Sequence, residues 1–137
     1  MFYVQLLCAF IVPGGGVKIE RFEDVDSWKE ARLLVSEVYK LLDNCRDYGF
    51  KDQIQRATVS VMSNIAEGFD RGSNREFVQY LIVSRGSLSE VKSLTYAALD
   101  IGYFDHAAFE AVIARCNKIS NILNGFIRFL KASERKA

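Results

Sequence analysis

The chain has 137 residues, half of them apolar and about a quarter charged, with a net charge of +1. That length is one domain and can bury a core without disulfides or metals, while the near-neutral balance argues against a strongly basic nucleic-acid module. Pro13 is the single proline, and breakers are scarce after residue 17; both facts favour long helices over a meander of short strands.

The first twelve residues, MFYVQLLCAFIV, are almost wholly apolar and are followed by PGGG and the charged run VKIERFED. The apolar run is too short to span a bilayer and lacks the basic start and small-residue cleavage site of a signal peptide. Residues 1–16 are expected to be an upstream extension, with the working domain beginning near Val17, because a valine codon can serve as an alternative bacterial start. An apolar arm that packs on the domain and a weak export signal are the rival readings. PGGGVK lacks the spacing and the final Lys-Ser/Thr of a phosphate loop and reads as a linker.

Past residue 24 the apolar spacing alternates three and four, as helix packing in a bundle requires. The first segment places Trp28, Ala31, Val35, Val38 and Leu42 on one stripe, with Ser27 and Glu30 at capping-box spacing and Asp24 or Asp26 as alternative caps. After the turn-rich DNCRDYG, the second stripe is Ile54, Ala57 or Thr58, Val61 and Ile65. Ser73 and Glu76 form a capping box for the third segment, whose stripe is Phe77, Leu81, Ser84, Leu88, Val91, Thr95 and Ala98. Gly102 to Asp105 stops that helix and caps the fourth, which carries Phe109, Val112, Cys116, Ile119, Leu123, Phe126 and Leu130. The expected fold is all-α: an antiparallel up-down-up-down four-helix bundle over residues 17–132, with 133–137 as a tail.

The third helix also carries Val78, Tyr80, Ile82, Val83, Leu94, Tyr96, Leu99 and Ile101 off its seam, and the fourth carries Ile113, Ile122, Ile127 and Phe129. Helices this apolar bury a second face, and another copy of the chain is the expected cover. Residues 17–49 hold six basic and eight acidic side chains, whereas residues 105–137 hold six and three. An acidic first helix beside a basic last one is the simplest reading of that asymmetry.

Little in the sequence looks catalytic. Cys8, Cys45 and Cys116 are scattered, without zinc-ligand spacing or a disulfide framework; Cys116 falls on the core stripe, and a reducing cytoplasm fits. His106 is the lone histidine and reads as a solvated first-turn residue. No catalytic residue, metal or cofactor is expected. The polar residues that stand out are Asn64, Glu67, Arg71, Ser73, Glu76, Arg85 and Glu90. Glu67 and Arg71 have the favourable order for an i,i+4 ion pair, and Gly86 lies mid-helix at a cost of about 1 kcal/mol against alanine. A polar clamp between helices two and three is favoured over a ligand site.

The stretch SVMSNIAEGFDRGSNREFVQYLIVSRGSLSEVKSLTYAALDIGYF and the opening IERFEDVDSWKEA resemble the bacterial four-helix-bundle family related to the 23S rRNA intervening-sequence protein. The shared elements are Ser60, Asn64 to Gly68, Arg71, Ser73, Glu76, Phe77, Gly86, Ser87, Glu90, Gly102 and Tyr103, with Val25 where the family usually has leucine. The resemblance covers residues 17–132. It implies a ring-like homopentamer without enzyme activity, and family genes lie within intervening sequences of rRNA genes. A related retroelement accessory variability protein shares the bundle, is strongly basic and works with a reverse transcriptase; this chain departs from it in charge.

The expected function is a non-enzymatic oligomeric scaffold that associates with RNA or an RNA-binding protein, in the cytoplasm and not in a membrane. Arg128, Lys131 and Arg135 cluster on one side of the last helix and Arg115 and Lys118 flank another, as candidate phosphate contacts. The alternative is an accessory module that docks on a larger enzyme such as a reverse transcriptase, through Tyr48, Tyr103 or Phe104.

Overall fold

The structure, a computed structural model, describes the backbone of Phe2–Val4 and of residues 17–135, and the side chains of residues 19–133. Most of the expected extension, residues 1–16, and the side chain of Arg135 lie outside the described residues. The strand β1 (Phe2–Val4) pairs antiparallel with β2 (Val17–Ile19), with Tyr3 opposite Lys18. A 3-10 turn at Phe22–Asp24 leads into four helices: α1 (Asp26–Leu41), α2 (Tyr48–Phe69), α3 (Asn74–Ile101) and α4 (His106–Arg135). Each helix packs mainly on two others, α1 and α3 both lying against α2 and α4, so the four enclose one core.

Three helix starts follow from side chains that accept the first free amides. Asp47 accepts from the Phe50 amide (3.2 Å), Ser73 from that of Glu76 (3.2 Å) and Asp105 from that of Ala108 (2.7 Å). In the Ser73 box the hydroxyl donates to the Glu76 carboxylate (3.1 Å). The third helix ends at Gly102 in the left-handed region, φ 92°, where a side chain would be strained.

The expected cap of α1 is not formed. Val25 occupies the N-cap position without a side-chain bond and is buried. Ser27 is buried with its hydroxyl unpartnered, and Glu30 turns to α4 instead. Burial of Val25 anchors this end in place of a polar cap. The α1 stripe also shifts: Leu34 is fully buried and Val35 only half-buried. Adjacent apolar residues leave such a choice open in a sequence.

The other stripes follow their spacing except at Phe109, the first expected residue of the α4 stripe, which is only half-buried. All seven expected residues of α3 are buried, and so are Val112, Cys116, Ile119, Leu123, Phe126 and Leu130 of α4. In α2, Ala57 and Thr58 are both buried. Apart from Ser27, the buried hydroxyls are satisfied by backbone carbonyls, Thr58 by Gln55, Ser84 by Val61 and Thr95 by Val91, each at 2.7 Å. Such pairing removes most of the penalty for burying a hydroxyl.

At Gly68 the backbone of α2 lies close against side chains of α3. A Cβ there would lie 2.5 Å from the Tyr80 Cβ and 3.1 Å from Phe77 Cδ1. Gly86, the other notable glycine, meets nothing within 4 Å. We therefore expect opposite outcomes in urea denaturation. Gly68→Ala should destabilise by about 1–3 kcal/mol through overpacking, whereas Gly86→Ala should stabilise by about 0.5–1 kcal/mol through helix propensity. Equal effects at the two sites would contradict the packing.

Candidate functional site

The polar residues between α2 and α3 do not converge on one site. Asn64 is half-buried; its Nδ2 donates to the Ser60 carbonyl (2.8 Å) and the Ser60 hydroxyl (3.0 Å), and Ser60 shares a hydrogen bond with Ser87 (2.8 Å). Arg71 lies beyond the end of α2, so the i,i+4 geometry with Glu67 is lost. It donates instead to the Tyr80 hydroxyl, with its guanidinium 5.1 Å from the ring centroid. Glu67 and Glu90 are exposed without a partner among the described residues. Arg85 turns the other way, towards α4, and donates to Asn124 Oδ1 (3.0 Å).

The basic residues of α4 divide into two groups. Arg115 Nη1 meets Glu30 (2.9 Å), its Nε meets Glu37 (3.2 Å), and Lys118 reaches the other oxygen of Glu30 (2.9 Å). The two glutamates are largely buried and Arg115 is about a quarter exposed. These are therefore ties between the first and last helices. Arg128 and Lys131 are exposed and form no ion pair among the described residues. Arg135 is the last residue of α4.

Partners were harder to foresee than the motif residues. Glu30, Glu37, Tyr80 and Asn124 gave no local signal, because each bond joins separate helices. The opposite charge of the first and last segments was the one clue to the Glu30–Arg115 pairing.

Among the described residues, no group of three or more His, Cys, Asp or Glu could hold a metal ion. Burial pushes the Cys116 thiol up to about 12, which keeps it protonated and unreactive. Among the described residues no helix is long and apolar enough to cross a membrane. An open depression of about 500 Å³ lies between α1 and α2, lined by Tyr39, Lys40, Asp43, Lys51 and Gln55.

The aromatics considered for docking differ in exposure. Tyr48 is 71% exposed, whereas Phe104 is a core residue at 2%. Tyr103 packs edge-on against Phe50 (5.3 Å between centroids) and donates to Asp47 Oδ2 (2.7 Å), linking the α1–α2 and α3–α4 loops. That bond, followed by the one from the Phe50 amide, holds the Asp47 carboxyl below its usual value; the same bond raises the Tyr103 phenol to about 12.

Two predictions follow from these bonds. Arg115→Ala should destabilise by about 2–3 kcal/mol, less than a fully buried pair because the guanidinium keeps some solvent, and Lys118→Ala by under about 1 kcal/mol; equal costs in chemical denaturation would contradict the assignment. The Tyr103–Asp47 bond contributes fully below the unfolded phenol pKa of about 10 and is lost as pH rises through 12. On the acid side it weakens as pH falls from about 4 through the lowered Asp47 value. The stability difference between the wild type and Tyr103→Phe should therefore shrink above pH 10, read by thermal melts alongside tyrosine absorbance. A constant difference up to pH 12 would contradict it.

Comparison with known proteins gives matches of two kinds. A crystal structure of a protein of unknown function from the S23 ribosomal protein family, from Bacteroides thetaiotaomicron, superposes with a TM-score of 0.69 at 19% identity. It covers 74% of this chain and 97% of the other, and at that identity the likeness concerns the fold. No curated protein sequence matches the chain. Residues 23–125 match the family described as 23S rRNA-intervening sequence protein. That match spans well over half the chain and contains the Ser60–Glu90 motif residues, so this chain belongs to the 23S rRNA-intervening sequence protein family.

Proposed function

We propose that the protein is a non-enzymatic scaffold, an up-down-up-down bundle that assembles as a cyclic homo-oligomer, a pentamer, and associates with RNA in the cytoplasm. The observation that carries this reading is a pair of apolar patches on opposite sides of the bundle. Leu33 on α1 is 49% exposed and Val83 on α3 is 53% exposed, and α1 and α3 are not packing neighbours. Two different patches facing apart suit a head-to-tail contact, which gives a ring when the rotation between copies closes. The count of five comes from the family resemblance.

Pair contacts support alternating helix directions. Ser60 meets Ser87, Val61 meets Ser84 and Arg71 meets Tyr80, so positions rise on α2 as they fall on α3. Arg85 with Asn124 and Tyr96 with Phe109 give the same sense for α3 and α4. The working unit in this reading is residues 17–132, with 1–16 as an upstream extension and 133–137 as the tail that α4 enters. RNA association is supported by residues 111–133, which contain four basic and no acidic side chains; α1 neutralises two of the four.

A second reading, a module docking on a larger enzyme such as a reverse transcriptase, is favoured by one observation. Tyr48 and Ile101 (57% exposed) stand near the loops joined by Tyr103 and Asp47.

Light scattering at micromolar concentration should give the mass of a pentamer. Leu33→Asp should release monomers of unchanged helix content. A monomeric wild type would contradict the reading. An oligomer unaffected by both Leu33→Asp and Val83→Asp would show that these patches are not the contact.

A further inference from the structure

The outer groove between α3 and α4 collects basic side chains that form no ion pair among the described residues. Arg85 on α3 bonds Asn124 on α4, which fixes the register of the two helices. At about 100° per residue, Lys92 and Tyr96 share the Arg85 side of α3, and Lys131 shares the Asn124 side of α4, with Arg128 next to it. Arg85 and Lys92 are half-buried, and Arg128 and Lys131 are exposed. The one acid of α3 between Phe77 and Leu99, Glu90, lies on the side away from α4, and α4 has none from residue 111 to 133; Asp100 and Glu110 stand on this side only at the far end of the groove, past Tyr96 and beside Phe109. The groove ends at an aromatic pair. Tyr96, 54% exposed, stands edge-on to Phe109 with centroids 5.0 Å apart. From Arg85, Lys131 lies about 10 Å one way along the groove and Tyr96 about 16 Å the other, at 1.5 Å per residue.

We propose that this groove binds single-stranded RNA, with Arg85, Lys92, Arg128 and Lys131 on successive phosphates and a base stacked on Tyr96. The proposal rests on the RNA part of the function proposed above and gives it a place and a strand preference. A row of cations tracks a phosphate backbone through charge density. An exposed ring at the end of the row adds stacking, which duplex RNA, with its bases already stacked, cannot use.

The test is fluorescence anisotropy of the full chain with a labelled U-rich RNA strand of about 12 nucleotides across a salt series, beside duplex RNA of equal length. Arg128→Gln with Lys131→Gln should weaken binding roughly tenfold or more at low salt and flatten the log–log salt slope by about 1.4, near 0.7 per lost phosphate contact. Tyr96→Ala should weaken single-strand binding about tenfold and leave the salt slope unchanged. Lys40→Gln with Lys51→Gln makes the same charge change on the α1–α2 side and should alter neither quantity.

If the wild type binds but the groove variants bind equally well, this proposal fails and the RNA reading stands. If the wild type binds no RNA at low salt, both fail. Tighter binding to duplex would overturn the single-strand assignment. Equal affinity for polyglutamate would reassign the groove to an acidic protein. Circular dichroism melts of each variant check that the bundle is intact.

Discussion

The contact on which the rest depends joins the two ends of the helical chain. Arg115 on α4 bridges Glu30 and Glu37 on α1, and Lys118 shares Glu30. Short loops already keep α1 beside α2, α2 beside α3 and α3 beside α4, but none of them joins α1 to α4. Apolar burial drives that closure and is non-directional; the guanidinium fork, bonded to two carboxylates, adds a preference for one rotation and register of α4. One oxygen of Glu37 remains buried without a partner, a polar cost that the apolar core must outweigh.

The same contact decides which cations are left for function. A count of charges along α4 gives four basic residues in a long acid-free stretch. Two face α1 and are neutralised there; Arg128 and Lys131 form no ion pair among the described residues. Arg85, which sequence placed with a cluster between α2 and α3, instead bonds α4. The proposed RNA groove therefore arises from the way the bundle closes, more than from overall composition, which is nearly neutral.

Much of the fold was legible because it is encoded over short spans. Ser73 with Glu76, Gly102 and the seven-residue stripe of α3 each depend on neighbours within a few turns, and each stands where spacing placed it. The failures concern choices that local pattern leaves degenerate. Leu34 and Val35 are adjacent and equally apolar, and tertiary packing selected Leu34. Ser27 had the spacing of a cap, but burial of Val25 fixed the helix start. The pairing of Glu67 with Arg71 assumed a helix two residues longer than α2 is. The polar site was less legible than the fold because its partners, Ser60 with Ser87, Arg71 with Tyr80 and Arg85 with Asn124, lie on separate segments. Motif residues named the family and marked the joint between α2 and α3, but did not show what each side chain bonds.

In the proposed assembly an oligomeric bundle, closed by its α1–α4 ion cluster, leaves the α3–α4 face free for single-stranded RNA. Photo-cross-linking tests it most directly: a single-stranded RNA containing 4-thiouridine, irradiated with the assembled protein and mapped by mass spectrometry. Cross-links are expected on the α3 and α4 peptides that carry Tyr96, Arg128 and Lys131. Cross-links confined to α1 and α2, or none at low salt, would contradict it.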